Sequence, residues 1–320
     1  MLQWRPTSDP DTARRRAAML ARVRAYFDEQ DVVAVDTPAV SAFATSDPNI
    51  ESVALHGRSP RFLHTSPESA MKCLLAAGYP DIYSICRVFR GAEAGSNHLP
   101  EFTLLEWYRR DFQLAGIVAD TTALIARCLE QEHLGDSAQV YDYKDVFRDT
   151  AGIDVFSADC AALADAVAAD AALRRSLGND RAAWLDWLLV SRIAPSFASD
   201  RLTVLQHYPT PQAALARVCP RDARVADRFE VFYGTLELAN GYVELSDAKE
   251  QRQRFLDDLA IRKHKGQAAT PIDELLLAAL EHGLPDCAGV AVGFERLQMI
   301  HDGAEKISDV VTFTDRSGGE

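Results

Sequence analysis

The chain has 320 residues, of which 48% are hydrophobic and 25% are charged. These proportions are typical of a globular protein, and the length accommodates one large domain or two ordinary ones. No apolar run approaches the roughly 20 residues that a membrane-spanning helix needs, and the formal net charge of −13 argues against a general nucleic-acid binder, which needs a basic surface.

Two features of the sequence predict a cytoplasmic protein. The first ten residues, MLQWRPTSDP, lack the apolar segment of a signal peptide. The six cysteines are scattered, with no pair at the C-x-x-C spacing, so their pattern indicates neither a zinc site nor a disulfide framework. We therefore interpret them as small buried hydrophobic residues.

The predicted elements begin with a helix over 11–30 and a strand in VVAVDTPAV that Pro38 interrupts. The helix contains the only obvious basic segment, 13–24, which we interpret as its polar face rather than as a nucleic-acid contact. A short helix follows over 66–78, where Ser-Pro-Glu marks the start and glycine the end. Two strands then occupy 88–110.

The second half of the chain begins with a long segment, 114–200, that is rich in alanine and leucine and is predicted to be mostly helical. After it we predict a strand over 201–209, a hairpin over 228–247, helices over 248–266 and 273–283, and a strand passing into a helix over 290–300. Because the strands follow one another by short turns, the sequence predicts a single α+β domain over residues 1–320, with a mainly antiparallel sheet flanked by helices.

The first group of candidate site residues lies in VFRGAEAGSNHLPEFTLLEWY. Alternate residues of a strand share a face, which places Phe102, Leu104, Glu106 and Tyr108 together. A carboxylate on a buried sheet face is costly unless a cation meets it. Arg90, at the mouth of the preceding loop, is one candidate for that cation. Alternatively, a ligand ammonium meets Glu106 and Tyr108, and Arg90 is free to bind a phosphate.

The second group lies in EVFYGTLELANGYVEL. If Tyr233-Gly234 is the two-residue turn of a hairpin, Glu230 and Glu237 face each other across it. Like charges at facing positions repel, and a bridging divalent cation would remove the repulsion; the alternative is two exposed edge carboxylates. The next strand places an amide, an aromatic ring and a carboxylate on one face: Asn240, Tyr242 and Glu244.

The third group is GVAVGFERLQMI, where Gly293 ends a strand of small residues and Arg296 follows early in a helix. Glycine permits close backbone approach, and arginine binds phosphate or stacks on a base. The three groups together suit ATP with magnesium, and their remaining carboxylates suit a substrate that has one or two amino groups.

In this order, the groups resemble the motifs of class II aminoacyl-tRNA synthetases. VVAVDTPAV with Pro38 resembles motif 1, the dimer-interface motif; VFRG…HLPEFTLLEWY resembles motif 2; and GVAVGFERL resembles motif 3. HTSPE (64–68) and ELANGYVEL are similar to the lysyl branch. The match runs from about residue 11 to the C-terminus, and it implies a class II synthetase-type catalytic domain that forms a homodimer.

Lysyl-tRNA synthetases also carry an N-terminal OB-fold domain that reads the anticodon, and this chain leaves no room for one, so we expect no tRNA partner. A free-standing lysyl-type catalytic domain is similar to the bacterial elongation factor P β-lysine ligases. Those enzymes activate (R)-β-lysine with ATP and attach it to a lysine ε-amine of elongation factor P. Ala291 agrees with this branch, because lysyl-tRNA synthetases usually have glycine there; one methyl group in a pocket is worth about 1–3 kcal/mol of discrimination.

The resemblance implies a role for each matched residue. Arg90 would stabilise the transition state at the α-phosphate, with Glu237 and Arg296 as further catalytic residues, and Glu230 and Glu237 would hold Mg²⁺. The ATP-binding residues would be Arg90, Gly91, Ala92, Glu93, His98, Phe102, Glu237, Leu238, Gly293 and Arg296, with adenine between Phe102 and Arg296. The amino-acid substrate would contact Ser66, Pro67, Glu68, Glu106, Tyr108, Asn240, Tyr242, Glu244 and Ala291.

Two departures from the family pattern lie in the motif 2 loop. The family glutamate that follows the motif 2 arginine is replaced by Ala92, with Glu93 one position later, and a family asparagine is replaced by Leu99. We expect these changes to weaken ATP binding. They leave two alternatives open: a lysyl-type adenylating enzyme with another acceptor, such as a free amine, a carrier protein or a tRNA, and a non-catalytic regulator that binds lysine or ATP.

Overall fold

The computed structural model describes residues 4–57 and 59–314, so the predicted domain limits, 1 and 320, lie outside the described residues. The strands are β1 (Val33–Ala34), β2 (Val40–Ser41), β3 (Ala54–Leu55), β4 (Arg61–Leu63), β5 (Ile82–Phe89), β6 (Glu101–Arg110), β7 (Gln139–Asp142), β8 (Leu202–Gln206), β9 (Arg228–Tyr233), β10 (Leu236–Val243) and β11 (Cys287–Gly293). The α-helices are α1 (Pro10–Asp28), α2 (Glu68–Ala76), α3 (Leu114–Leu129), α4 (His133–Asp136), α5 (Tyr143–Ala151), α6 (Cys160–Ala166), α7 (Ala171–Leu177), α8 (Arg181–Leu188), α9 (Ala248–His264), α10 (Glu274–Gly283) and α11 (Phe294–Asp302).

Eight strands form the main sheet, in the order β1-β5-β6-β11-β10-β9-β8-β7. The outer pairings, β1 with β5 and β7 with β8, are parallel, and the pairings between them are antiparallel. The α+β class and the mainly antiparallel sheet are therefore confirmed. Short turns do not explain the strand order, however, because β11 inserts between β6 and β10. The strands β2, β4 and β3 form a separate small sheet.

Helices α1, α3 and α11 cover one face of the main sheet with a continuous apolar core. Met19, Val23 and Phe27 of α1 are fully buried in it, next to Leu105 and Trp107 of β6. Each fully buried side chain of this size contributes about 1.5–3 kcal/mol of transfer free energy. The predicted amphipathic character is present, because Arg14, Arg15 and Arg24 are exposed opposite this core, but Arg16 turns inward and pairs with the buried Glu295 at 2.9 Å.

The segment 114–200 is mostly helical, as predicted, and α5 to α8 form a second apolar cluster. Leu205 of β8 and Phe232 of β9 join that cluster to the sheet. The strand β7 inside this segment was not predicted. It is only four residues long and lies at the sheet edge, where it pairs with β8, so it lacks a clear alternation of buried and exposed residues.

The β9–β10 hairpin differs from the prediction in its turn and in its register. Tyr233 pairs with Leu236, so the turn residues are Gly234 and Thr235, and Gly234 has a φ of +55°, which glycine tolerates best. The prediction that Glu230 and Glu237 face each other is wrong. Glu237 pairs with Phe232, as a turn at Gly234-Thr235 requires, and a bulge at Leu238 then shifts the register so that Glu230 pairs with Asn240.

Candidate functional site

A row of four side chains crosses the sheet at one level. Glu106 on β6 pairs with Ala291 on β11, Ala291 pairs with Asn240 on β10, and Asn240 pairs with Glu230 on β9. Directly paired residues point to the same side of a sheet, so the row lies on the face opposite the α1–α3–α11 core. The sheet thus brings together one residue or more from each of the three predicted groups.

The bulge at Leu238 also places Glu237 on this face. Glu237 and Asn240 are three residues apart, and in a regular strand they would point to opposite sides. Leu238 and Ala239 both turn into the core, so Glu237 and Asn240 lie on the same face. Glu237 pairs with Phe232 and lies diagonally from Glu230. Burial raises the pKa of Glu230 to about 7, and the negative charge of Glu237 adds to this effect against the pull of Arg228. The predicted repulsion between the two carboxylates is therefore present, although the predicted register is not.

Glu106 is buried, with 3% of its surface exposed, and its partners are hydroxyl groups. Ser66 Oγ and Tyr108 Oη each donate to a Glu106 oxygen at 2.7 Å. Burial raises the pKa of Glu106 to about 7, and the neighbouring Glu68 adds to the rise. The suggestion that Arg90 neutralises Glu106 is wrong, because Arg90 Nη1 pairs with Glu93 at 3.1 Å.

Sequence reasoning missed Lys72, which is the cation of this pocket. Its side chain is 1% exposed, and Nζ lies 2.6 Å from a Glu68 oxygen and 2.5 Å from a Glu244 oxygen. Burial acts to lower the pKa of Lys72, but the two carboxylates outweigh burial and raise it. Burial raises the pKa of Glu244, whereas the positive charge of Lys72, 2.5 Å away, opposes that rise. Tyr242 Oη donates to Glu68 at 2.6 Å.

A sequence signal for Lys72 does exist. Glu68 and Lys72 are four residues apart at the start of α2, which is the spacing of a common helix-surface ion pair. The spacing alone does not reveal that the pair is buried. That burial results from the end of β10 and the residue after it, which bring Tyr242 and Glu244 over the first turn of α2.

Gly289 and Arg228 are two further residues that shape the site. A Cβ on Gly289 would lie 2.6 Å from a Glu244 oxygen and would also overlap the Tyr108 ring, so glycine is needed for these side chains to approach. Arg228 supports the other end of the row, where its guanidinium pairs with Glu230 at 2.6 Å, donates to Asn240 at 3.2 Å and lies over the Tyr208 ring at 4.4 Å.

Several residues that were predicted to bind ATP lie close together around His98. Arg296 donates to His98 Nε2 at 2.6 Å and to the Glu237 carbonyl at 2.9 Å. Burial lowers the pKa of His98, as do the positive charges of Arg296 and Arg90, whereas Glu93 and Glu237 act to raise it. Arg90 also lies over the Phe102 ring at 5.1 Å.

Three of the predicted positions have a different environment from the one expected. The Leu238 side chain packs in the core on the other face, so only its backbone is available to a ligand. The Leu99 side chain packs against Met299 and its apolar neighbours. A Cβ on Gly293 would meet only the Arg296 side chain, at an ordinary 3.7 Å; the free protein does not require glycine there.

The other predicted positions lie at the edges of the site. Gly91 donates from its backbone to the Glu51 carbonyl at 2.9 Å, and Ala92 beside it is exposed. Pro67 immediately precedes α2 and is buried. No helix among residues 4–57 and 59–314 is long and apolar enough to cross a membrane.

Comparison with known proteins identifies the family of this chain. Residues 1–317 match the family model for tRNA synthetases of class II (D, K and N), and the chain therefore belongs to that family. It is 40% identical over 318 residues to the elongation factor P–(R)-β-lysine ligase of Sodalis glossinidius, with 97% of each chain covered. It is 40% identical over 323 residues to the ligase of that name from Edwardsiella ictaluri, with 98% of each covered, and 39% identical over 317 residues to that of Haemophilus influenzae, with 97% of each covered.

Replacing Lys72 with methionine tests whether its charge holds the pocket together. We expect Lys72→Met to lower the free energy of unfolding by about 3–5 kcal/mol, because it leaves Glu68 and Glu244 buried without a cation. Urea denaturation followed by circular dichroism measures the change. Lys249→Met, at an exposed position of α9, is the matched control. The double variant Lys72→Met/Glu244→Gln should recover part of the loss; equal stability of Lys72→Met and wild type would contradict the role given to this ion cluster.

Proposed function

We propose that the protein activates (R)-β-lysine with ATP and transfers the β-lysyl group to a lysine ε-amine of elongation factor P. The observation that carries this proposal is the buried Glu106 carboxylate, whose hydrogen-bond partners are the hydroxyls of Ser66 and Tyr108. Such a carboxylate gains most from a ligand ammonium. The names of the relatives supply the identity of the amino acid and of the acceptor.

The charge of the pocket supports a substrate that has two ammonium groups. Glu68, Glu106 and Glu244 contribute three carboxylates, and Lys72 compensates one of them. When all three carboxylates are ionised, two negative charges remain, the number needed to pair with the two ammonium groups of β-lysine. The Ala291 methyl group, between Glu106 and Asn240 in the row, would shape the pocket around the carbon chain.

The opposite end of the site has the residues needed to bind ATP. The repelling pair Glu230 and Glu237 suits Mg²⁺, whose preferred ligands are oxygens; the ion would supply positive charge against the phosphates. Phe102 and Arg296 would hold adenine between a ring and a guanidinium. Arg90, which now pairs with Glu93, would turn its planar guanidinium to the α-phosphate.

The proposed chemistry needs no protein nucleophile. A carboxylate oxygen of β-lysine attacks the α-phosphorus, the bond to the β-phosphate oxygen breaks, and pyrophosphate leaves. Arg90 stabilises the charge that develops on the phosphorus oxygens, and the acidic pocket fixes the direction of attack. In the second step, a neutral acceptor ε-amine attacks the adenylate carbonyl carbon and AMP leaves, taking its bonding electron pair. The amine proton passes to the phosphate or to a nearby base.

The proposal extends to the organisation of the protein. We infer a catalytic domain in the cytoplasm that acts on a protein and not on tRNA. The segment similar to motif 1 includes β1, at the edge of the main sheet, where Val33 is 45% exposed. An exposed apolar edge strand of this kind supports the expected homodimer.

The proposal predicts amino-acid-dependent exchange of pyrophosphate into ATP. We expect exchange to be strongest with (R)-β-lysine, weaker with α-lysine and absent without an amino acid, and intact-mass spectrometry should show one β-lysyl group added to elongation factor P.

Arg90→Ala should reduce exchange about 100- to 1,000-fold, because it removes transition-state stabilisation. Arg87→Ala, three residues earlier on β5 with its side chain 52% exposed, is the matched control. If none of the amino acids supports exchange, the result would instead favour the non-catalytic regulator. In that protein, Glu93 would keep Arg90 in an ion pair.

Ala291→Gly tests the origin of amino-acid selectivity. Removing the methyl group should raise the kcat/KM for α-lysine relative to (R)-β-lysine by about 10- to 200-fold. Ala288→Gly is the control, because Ala288 lies on the same strand but is fully buried in the opposite core. Unchanged selectivity in Ala291→Gly would show that this methyl group does not discriminate between the two amino acids.

The raised pKa of Glu106 predicts how substrate affinity depends on pH. An ammonium binds the ionised carboxylate, and the ionised fraction of Glu106 increases as pH rises through about 7. At saturating ATP, the KM for β-lysine should therefore fall about tenfold between about pH 6 and about pH 8. Glu106→Gln cannot ionise and should give a higher KM with a smaller pH dependence. Identical pH slopes in the two proteins would assign the titration to another group.

A further inference from the structure

We propose that the protein has a divalent-metal site of the zinc class, formed by His207, Cys219 and Asp227. One ligand atom from each of these residues lies within 4.8 Å of the others, and His207 Nε2 is 3.9 Å from Asp227 Oδ1. Asp227 immediately precedes Arg228, which faces the acidic row. Asp227 lies just before β9, and its carboxylate pairs with Arg217 at 2.8 Å; the site therefore uses a different set of side chains from the proposed ATP and β-lysine sites.

The backbone holds the three residues in place. His207 directly follows β8, and its N–H donates to the Arg228 carbonyl at 2.9 Å. The Asp227 N–H donates to the Arg217 carbonyl at 3.0 Å, and the Cys219 N–H donates to the Val225 carbonyl at 2.9 Å. These bonds form a short antiparallel ladder that places Cys219 and Asp227 on the same face. The three ligands are therefore brought together by backbone pairing, although they are dispersed in the sequence.

The His207 ring is oriented by a carboxylate. Its Nδ1 lies 2.8 Å from Asp142 Oδ1, and the Gln206 amide donates to the same oxygen at 3.0 Å. With the proton on Nδ1, the Nε2 lone pair faces Cys219 and Asp227. A carboxylate that fixes the tautomer through the distal nitrogen is a frequent companion of metal-binding histidines.

The chemistry of the donors selects the metal. A thiolate, an imidazole and a carboxylate suit Zn²⁺, whereas Mg²⁺ and Ca²⁺ prefer oxygen alone. Asp227 Oδ2 accepts from Arg217 Nε at 2.8 Å, so Oδ1 is the oxygen available to the metal. The charges of the Cys219 thiolate and the Asp227 carboxylate would balance that of the ion. Metal–ligand bonds of about 2.0–2.3 Å require the three side chains to close slightly around the ion.

The arrangement also has a metal-free interpretation. His207, if protonated, would bridge Asp142 and Asp227, and Cys219 would then be a small buried residue. In either case the loop between β8 and β9 matters to the main site, because the Gln212 carbonyl accepts from Arg228 at 2.5 Å and Arg228 holds Glu230. Bound zinc would fix this loop, so its role would be structural.

Metal analysis of the full-length protein distinguishes the two interpretations. Protein loaded with zinc and then dialysed should retain about one zinc per chain by mass spectrometry of the metal, held by the three protein ligands. Cys219→Ser should lose it, whereas Cys160→Ser, outside the cluster, should not. Cobalt should replace zinc and give the near-ultraviolet absorption of a thiolate-to-cobalt bond, which Cys219→Ser abolishes. These measurements do not involve ATP or β-lysine, so they are independent of the proposed reaction.

Asp142→Asn provides a second variant that leaves all three ligands present. We expect it to weaken zinc binding about 10- to 100-fold in a competition with a chelator. Circular dichroism of each variant checks that the fold is retained. The proposal is overturned if the wild-type protein retains no zinc after dialysis, if Cys219→Ser retains as much zinc as wild type, or if the cobalt protein lacks the thiolate absorption.

Discussion

The site depends on a fixed imbalance of buried charge around Lys72. Placing an ion in a protein interior costs several kcal/mol, and this cost is offset only by close partners. Lys72 has two such partners, Glu68 and Glu244, whereas Glu106 has only hydroxyl groups. The fold therefore holds more negative charge than it can neutralise. The core on the other face of the sheet, with Met19, Phe27 and Trp107 fully buried, supplies the stability that this imbalance requires.

Two local features of the backbone let the sheet present this charge on one face. The bulge at Leu238 brings Glu237 and Asn240 to the same side, although they are an odd number of residues apart. Gly289 omits a side chain where Tyr108 and Glu244 meet. Without the bulge, Glu237 and Asn240 would point to opposite faces, and with any side chain at position 289 the acidic pocket would have to open. Both are deviations from a regular strand, placed where the site needs them.

The sequence predicted best what depends on strand alternation. Phe102, Glu106 and Tyr108 are separated by even numbers of residues, so they share the face of β6 that forms the site. The residues between them point to the core, and β6 is therefore buried on both faces. The register of the hairpin was not predictable in the same way, because a bulge requires little free energy and leaves no clear pattern in the sequence. Lys72 was missed because helix spacing describes a pair of residues but not the strand that covers them. His207, Cys219 and Asp227 were missed because their proximity arises from a loop that folds back between β8 and β9.

The distribution of charge across the site gives a substrate a direction. The carboxylates of the acidic pocket lie on β6, on α2 and directly after β10, whereas Arg90 and Arg296 lie around His98, beyond the ends of β5 and β11. An amino acid whose ammonium groups pair with the carboxylates has its own carboxylate repelled from them and attracted toward the arginines. The arginines also attract the phosphates of a nucleotide, so attraction and repulsion direct the reacting carboxylate toward the α-phosphorus. Substrate orientation thus follows from the same buried imbalance that makes Glu106 require an ammonium partner.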